Sequence, residues 1–312
     1  MKSNKILLIG SNGYIGSALH KHLSPFHQLS SVDLCWFDAA RNNCLIKDYN
    51  DLDESFIQEH DTIILLAGHS SVKMCEGKME SAVNNNVVNF INLLSKIKDK
   101  KLIYAGSSSV YGSVGGKTVS EDYDGFRPYN QYDISKHVID LYAQKSDAEF
   151  YGLRFGTVNG YSPIMRNDVM INSMVSSALT DGEIKLYIKD IMRPILGIQD
   201  LCRAVSLIVS HDEDCRGIYN LASFNKTAEQ IAYEVSRTIN VPVKEYDSNP
   251  IDIQNTKLQT KCYNFSISTQ KFQDTFKFSF TENIESITKS IVDNFSDITP
   301  TSRHLAHEYC SQ

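Results

Sequence analysis

Near its amino terminus the chain reads Lys5-Ile6-Leu7-Leu8-Ile9-Gly10-Ser11-Asn12-Gly13-Tyr14-Ile15-Gly16, followed by Ser17-Ala18-Leu19-His20-Lys21-His22-Leu23. The run Ile6–Ile9 is apolar, short and unbroken, as suits a parallel strand buried on both faces. Three glycines follow at spacing three, and apolar positions 15, 18, 19 and 23 then recur with helical period. Strand, tight glycine turn and helix in this order bring backbone N–H groups at a helix N-terminus up to a pyrophosphate. Gly10 permits the turn, Gly13 lets backbone approach the phosphates, and Gly16 lets the helix pack on the strand. Asn12, Tyr14 and Ile15 complete this candidate dinucleotide loop.

A carboxylate about twenty residues further on, at the end of a second strand, is the next expected feature. Asp33 of Val32-Asp33 meets it. There it would accept hydrogen bonds from an adenosine ribose and repel a 2′-phosphate. The nearest following arginine is Arg41, so NAD is favoured over NADP. Asp48 follows a third short apolar run and is placed to meet the adenine amino group. Helix N-capping is the competing role for Asp51 and, less so, for Asp48. Thr62-Ile63-Ile64-Leu65-Leu66-Ala67-Gly68 is another buried-strand run, and Leu66, Ala67 and Gly68 end it where a cofactor can lie over the strand. His69 reads as a loop residue.

From Glu80 to Ile97 the apolar positions 83, 87, 90, 91, 94 and 97 form one helical face, with Asn86 beside it. Residues 101–106 then form a strand that delivers Ser107 at its carboxyl end, the edge at which open α/β sheets bind ligands. A polar loop, 113–129, leads to a helix bearing Tyr132 and Lys136. Four apart, these two share a helix face. An ammonium held near a phenol draws its pKa down from about 10, and such a phenol can exchange a proton with a sugar hydroxyl. A hydroxyl from the run Ser107-Ser108-Ser109 would hold the same oxygen.

After the strand 150–155 the pattern loosens. A helix over 168–179 stops at Asp181-Gly182, an extended piece covers 192–200, and a helix covers 201–210. Residues 217–222 read as a strand returning to the sheet. Thr227 and Gln230 have capping-box spacing before a helix reaching Thr238, and a last helix begins over 280–287. Residues 245–262 are polar without a readable period, and the tail from Ser296 is polar. The sequence has no internal repeat and no clean interdomain linker.

Length allows a large core, and 42% hydrophobic with 22% charged residues is the balance of a soluble globular chain. The formal net charge of −6 and the lack of a basic run argue against nucleic acid as a partner. No apolar run is long enough for a membrane span or a signal peptide. The seven cysteines are odd in number and never spaced as Cys-x-x-Cys. That pattern implies reduced thiols, a cytoplasmic location and no metal site.

Taken together, the chain resembles the extended short-chain dehydrogenase/reductase superfamily, in its NAD-dependent nucleotide-sugar epimerase/dehydratase branch. The residues that carry the likeness occur in family order over roughly 5–222: the glycines at 10–16, Asp33, Asp48, Leu66-Ala67-Gly68, Asn86-Val87, Ser107…Val110-Tyr111-Gly112, Tyr132…Lys136, Leu153-Arg154-Phe155 and Arg193-Pro194. The resemblance implies an α/β, Rossmann-type doubly wound parallel sheet that binds NAD over 1–157. A smaller C-terminal lobe, 158–312, would hold a nucleotide diphosphate sugar, with segments around 190–222 returning to the first domain. It further implies that Tyr132 is the acid/base, that Lys136 holds the nicotinamide ribose and tunes Tyr132, and that Ser107 is the catalytic serine. Arg193 would clamp substrate phosphate, and Ser108, Thr157, Asn159 and Arg166 are the other candidate substrate contacts. A homodimer is the assembly usual in the family.

Two departures shape the functional expectation. Ser107-Ser108-Ser109 stands where 4,6-dehydratases place Thr-Asp-Glu, so elimination of water lacks its acid and base. Thr157 replaces an asparagine frequent after the sixth strand, with Asn159 the nearby substitute. The leading expectation is C4 epimerisation through a transient 4-keto sugar. An NAD(P)H-dependent 4-keto-reductase of a deoxysugar nucleotide is the alternative, and a non-catalytic dinucleotide-binding protein is the third reading.

Overall fold

The computed structural model describes residues 3–36, 43–97, 99–246 and 263–297. Seven parallel strands form the main sheet: β1 (Lys5–Ile9), β2 (Gln28–Asp33), β3 (Leu45–Ile46), β4 (Thr62–Leu65), β5 (Lys101–Ser107), β6 (Glu149–Phe155) and β7 (Gly217–Leu221). Their spatial order is β3-β2-β1-β4-β5-β6-β7, so the winding reverses between β1 and β4. That reversal opens a crevice at the carboxyl ends of the strands, where Gly10, Ala67 and Ser107 emerge. This is the doubly wound α/β arrangement expected from the sequence.

Alternation within β1 explains why its sequence is apolar throughout. Ile6 and Leu8 pack on one face with Leu19 and Leu23 of helix α1 (Tyr14–Leu23). Leu7 and Ile9 pack on the other with Phe90 and Leu93 of α2 (Asn89–Lys96) and Ile139 of α3 (Gln131–Gln144). The first of these cores continues into a smaller lobe built on α4 (Met170–Asp181); α5 (Ile198–Val209) lies beside α1 on the main sheet, where Asn4 donates to Val209 O at 2.9 Å, and α6 (Ala228–Ile239) and α7 (Ile284–Val292) complete the lobe. A three-stranded sheet of Thr157–Asn159, Met192–Gly197 and Phe224–Thr227 carries Thr157 and Arg193 in this lobe.

Most boundaries follow local chemistry. Gly182, at φ 72°, ends α4 just after Asp181, and Thr227 with Gln230 forms the capping box that starts α6. The expected face over 80–97 is re-phased. A π turn at Asn84–Val88 joins helix Met79–Val83 to α2, so Ala82, Asn86, Phe90, Leu93 and Ile97 are the buried set and Val83 is exposed. The polar loop 113–129 contains a short strand, Thr118–Val119, paired with Ser266–Ile267. Most of the unreadable stretch (247–262) and most of the tail (298–312) lie outside the described residues.

A buried polar network crosses the sheet. Arg154 of β6 holds Asp140 of α3 at 2.8 Å, and neither side chain reaches solvent. Asp140 also accepts from Tyr104 of β5 at 2.9 Å. Arg154 donates to the Tyr111 hydroxyl at 2.8 Å, which donates to Asn220 of β7 at 2.8 Å. Removing the guanidinium would leave a buried carboxylate uncompensated. Arg154→Met should therefore cost about 3–5 kcal/mol, read as a lower urea midpoint with an unchanged slope.

Candidate active site

A single cavity of about 910 Å³ runs along the carboxyl ends of the strands, at the upper end of the range for ligand pockets. Its walls include Gly10, Gly13, Ile15, Gly16, Asp33, Asp48, Leu66, Ala67 and Gly68 at one end, then Ser107, Ser108, Tyr132 and Lys136, then Thr157, Arg166 and Arg193. Sequence positions as far apart as Ile9 and Phe265 thus line one continuous groove.

The glycine loop has the close approaches that glycine alone permits. Gly10 sits at φ +89°, and a Cβ there would lie 2.5 Å from the Ala67 nitrogen. A Cβ on Gly16 would overlap the Gly10 carbonyl oxygen. Gly13 is the N-cap of α1 and offers no side-chain cap, so the helix N-terminus is free to meet an anion. Asp33 stands at the end of β2, with Oδ2 accepting from Asn12 N at 2.9 Å and Oδ1 from Cys35 N at 2.7 Å. Burial pushes its carboxyl upward against those hydrogen bonds. These residues fit an adenosine diphosphate moiety: a bare helix end for phosphate and a fixed carboxylate for ribose.

Some expected cofactor contacts are placed differently. Asn12 is absent from the cavity wall; its backbone holds Asp33 and its amide donates to Cys35 Sγ at 3.2 Å. Tyr14 lines the cavity, while its phenol donates to Gly160 O at 2.7 Å and accepts from Asn172 at 3.2 Å, so it ties α1 to the smaller lobe. Asp48 lines the cavity and also caps the turn Tyr49–Asp51 by accepting from Asn50 N at 2.9 Å. Capping thus leaves Asp48 on the wall of the groove. At Gly68, φ +139°, a Cβ would lie 2.7 Å from Asn86 Oδ1. Asn86 accepts from His69 N at 2.7 Å and donates to Ser135 Oγ at 3.0 Å, fastening the end of β4 to α3.

Ser107 ends β5 and caps the turn Ser108–Tyr111, its Oγ accepting from Ser109 N at 3.2 Å and lying 2.7 Å from Ser109 Oγ. Tyr132 and Lys136 occupy the first turns of α3, which Asn130 caps by accepting from Asp133 N at 3.0 Å. Lys136 Nζ lies 5.9 Å from the Tyr132 ring centre and donates to Ala105 O at 2.8 Å. The electrostatics differ from the sequence expectation. Burial raises the Tyr132 phenol above its ordinary value, opposed by the Ser107 hydroxyl and the Arg166 charge. Burial likewise brings Lys136 down to about 8, with Asp140 working in the other direction. Desolvation outweighs the neighbouring charges for both groups.

The substrate candidates divide. Arg193 lines the cavity, its guanidinium 5.7 Å from the Tyr263 ring centre. Arg166 lines it too, but is forked onto Asp168 at 2.8 and 3.3 Å and reaches Ser70 O at 3.4 Å. Asn159 is a correction. It is fully buried outside the cavity wall, its Oδ1 accepting from Ile171 N at 2.8 Å and its Nδ2 donating to Thr157 O at 2.7 Å. Its oxygen is used in starting α4 and its nitrogen in bonding back to its own strand.

Lys73, Lys185, Tyr187, Tyr263 and Phe265 also line the cavity, and sequence reading passed over them. Tyr263 donates to Asp133 at 2.6 Å, across 130 residues of chain. No local spacing signals such a contact.

The fold and site define an enzyme of the extended short-chain dehydrogenase/reductase type. Residues 6–222 match the NAD dependent epimerase/dehydratase family, and the chain belongs to it. CapI from Staphylococcus aureus is 28% identical over 232 residues, 66% of this chain and 69% of that protein. A UDP-glucose 4-epimerase of Lactobacillus helveticus is 24% identical over 66% of this chain and 72% of its own. The structure of the Bacillus cereus UDP-glucuronic acid 4-epimerase, in complex with UDP-glucuronic acid and NAD, aligns with a TM-score of 0.79. Identity there is 20%, over 94% of this chain and 99% of that one. The protein is thus an NAD-dependent enzyme. No helix among the described residues is long and apolar enough to cross a membrane.

Because Lys136 titrates near 8 when folded and near 10.4 when unfolded, the unfolded chain binds the extra proton between those values. Stability in this window therefore rises with pH. In cofactor-stripped protein, the wild type should gain stability relative to Lys136→Met as pH is raised from about 8 to about 10. Urea titrations at both pH values measure the difference.

Proposed function

We propose that the protein is an NAD-dependent nucleotide-sugar epimerase acting at C4 through a transient 4-keto sugar. The observation that carries this reading is the convergence of Ser107, Tyr132 and Lys136 midway along a groove with a glycine-loop end and an arginine-bearing end. NAD, which the glycine loop and Asp33 would hold, would supply a hydride acceptor that can return the hydride to the opposite face of the sugar. Tyr132 accepts the C4 hydroxyl proton and later gives it back, while the Ser107 hydroxyl holds the reacting oxygen. The Ser107 hydroxyl and the Arg166 charge favour the phenolate against burial, and the Lys136 ammonium would hold the nicotinamide ribose. Arg193, steadied on the Tyr263 ring, presents a planar fork to the diphosphate. Arg166 can add to it at the cost of sharing Asp168, and an exposed pair of this kind is only weakly held.

The absence of an acid pair after Ser107 weighs against dehydration, although a probable dTDP-glucose 4,6-dehydratase of Sinorhizobium fredii is 25% identical over 66% of this chain. Protein purified without added cofactor should carry NAD and interconvert two sugar nucleotides. Consumption of NAD(P)H in step with product would instead select the keto-reductase. Tyr132→Phe should lower turnover about 10²–10⁴-fold while retaining NAD, as measured by mass spectrometry of the unfolded protein; full activity would remove Tyr132 from the mechanism.

We also infer a homodimer. Ile134, Leu141 and Tyr142 of α3 are exposed, as are Met79, Val83 and Val88 on the neighbouring helical segment. Positions 134, 141 and 142 share one face of α3, and an apolar face of this breadth suits a second copy of itself. Ile134→Asp with Leu141→Asp should shift sedimentation from dimer to monomer with the fold intact. A wild type that sediments as a monomer at micromolar concentration would discard the assembly.

A further inference from the structure

The loop between α5 and β7 reads Ser210-His211-Asp212-Glu213-Asp214-Cys215-Arg216. It lies at the amino ends of the strands, the edge opposite Ser107. Lys101, the first residue of β5, donates there to His211 O at 2.6 Å and Ile208 O at 2.9 Å. A His211 ring nitrogen, a Glu213 carboxylate oxygen and Cys215 Sγ lie within 4.8 Å of one another. The imidazole nitrogen and the thiol sulfur are 3.6 Å apart. A tetrahedral zinc ion, with Zn–N about 2.0–2.1 Å and Zn–S about 2.3 Å, would set those two atoms about 3.6 Å apart.

We propose that His211, Glu213 and Cys215 bind a borderline-soft divalent cation of the zinc class, with water completing the tetrahedron. The donor set decides the class. Imidazole with thiolate selects zinc-like ions over magnesium or calcium, which prefer all-oxygen shells. The loop is framed to keep its donors together. Tyr151 Oη accepts from Cys215 N at 3.3 Å and donates to Glu149 at 3.0 Å, with Glu213 O 3.4 Å away, while Tyr219 Oη donates to Cys215 O at 2.6 Å. The His211 ring rests edge-on against Phe276, centroids 5.1 Å apart. The nearest arginine, Arg216, is forked onto Asp214 and onto the carbonyls of Asp147 and Ala148, leaving Glu213 for the cation. Binding replaces the thiol proton, which passes to solvent, and clips the end of α5 to the start of β7. The site is independent of the sugar chemistry.

The test uses the full chain, stripped with a chelator and titrated with Co²⁺ as a spectroscopic probe for zinc. One equivalent should produce a thiolate-to-cobalt charge-transfer band with the visible bands of a tetrahedral ion, and Zn²⁺ should abolish both. Cys215→Ser and His211→Gln should each weaken Co²⁺ binding by about 10-fold or more, with unchanged circular dichroism. The Cys35→Ser/Cys44→Ser double variant, which removes two other partly exposed thiols, should leave the band intact. Zn²⁺ at about 100 times Kd should raise Tm by about 5 °C. Absence of the thiolate band overturns the proposal, as does a band that survives Cys215→Ser or disappears in the Cys35/Cys44 variant.

Discussion

The geometry of the groove depends on one buried ion pair, Arg154 with Asp140. Neither charge has access to water, so each must be satisfied by groups fixed in the fold, and the groups that do so belong to four separate elements. Asp140 lies one helical turn beyond Lys136 and about two beyond Tyr132, so holding its carboxylate sets the rotation of α3 about its axis. Tyr104, which also bonds Asp140, sits three residues before Ser107 on β5. Tyr111, bonded to Arg154, closes the turn that Ser107 begins. A buried pair is weak evidence for stability. Its value here is orientation: the three candidate catalytic side chains are each a turn or two of chain from a member of the network.

Local features of the site were readable before the fold. A strand, three glycines and a helix can be recognised within 19 residues, from Lys5 to Leu23, because one turn and one helix end impose all the constraints. Asp33, Ser107, Tyr132 and Lys136 follow from strand ends and helix spacing in the same way. What escaped was long-range. Asn159 looked like a sugar contact because it lies near Thr157, which replaces an asparagine frequent in the family, yet the backbone N–H of Ile171, twelve residues away, takes its oxygen. The π turn at Asn84–Val88 adds a fraction of a turn that no 3.6-residue template anticipates, and it moves Asn86 to the centre of the buried face. The direction of the Tyr132 shift was misjudged because a neighbouring lysine is visible in sequence while the enclosure of the phenol is not.

The two ends of the groove are joined by side chains as well as by the chain. Tyr14, inside the glycine loop, bonds Gly160 and Asn172, and Ser162 Oγ donates to Tyr14 O at 2.6 Å while also meeting Ser17 Oγ at 2.8 Å. Asn172 in turn donates to the Arg166 carbonyl at 2.8 Å. A hydrogen-bonded seam thus runs from the glycine loop and α1 to the backbone of Arg166. The apolar core is continuous beneath it, joining α1 with α4, α6 and α7. Among the described residues the two lobes thus share both polar contacts and core, in keeping with a sequence that shows no recognisable linker.

Gly152 lies directly opposite Tyr104 in the β5–β6 register, and a Cβ at 152 would overlap the Tyr104 hydroxyl. The ring cannot swing aside, because its oxygen is bonded to Asp140 within a closed core. Positions 104 and 152 are therefore epistatic. A larger residue at 152 is admissible only after the tyrosine has been shortened, and a shortened residue at 104 leaves a void and an unmatched carboxylate oxygen until 152 is filled. Each order of change passes through a damaged intermediate. The pair acts as a ratchet on sequence drift, at two positions that never touch a ligand.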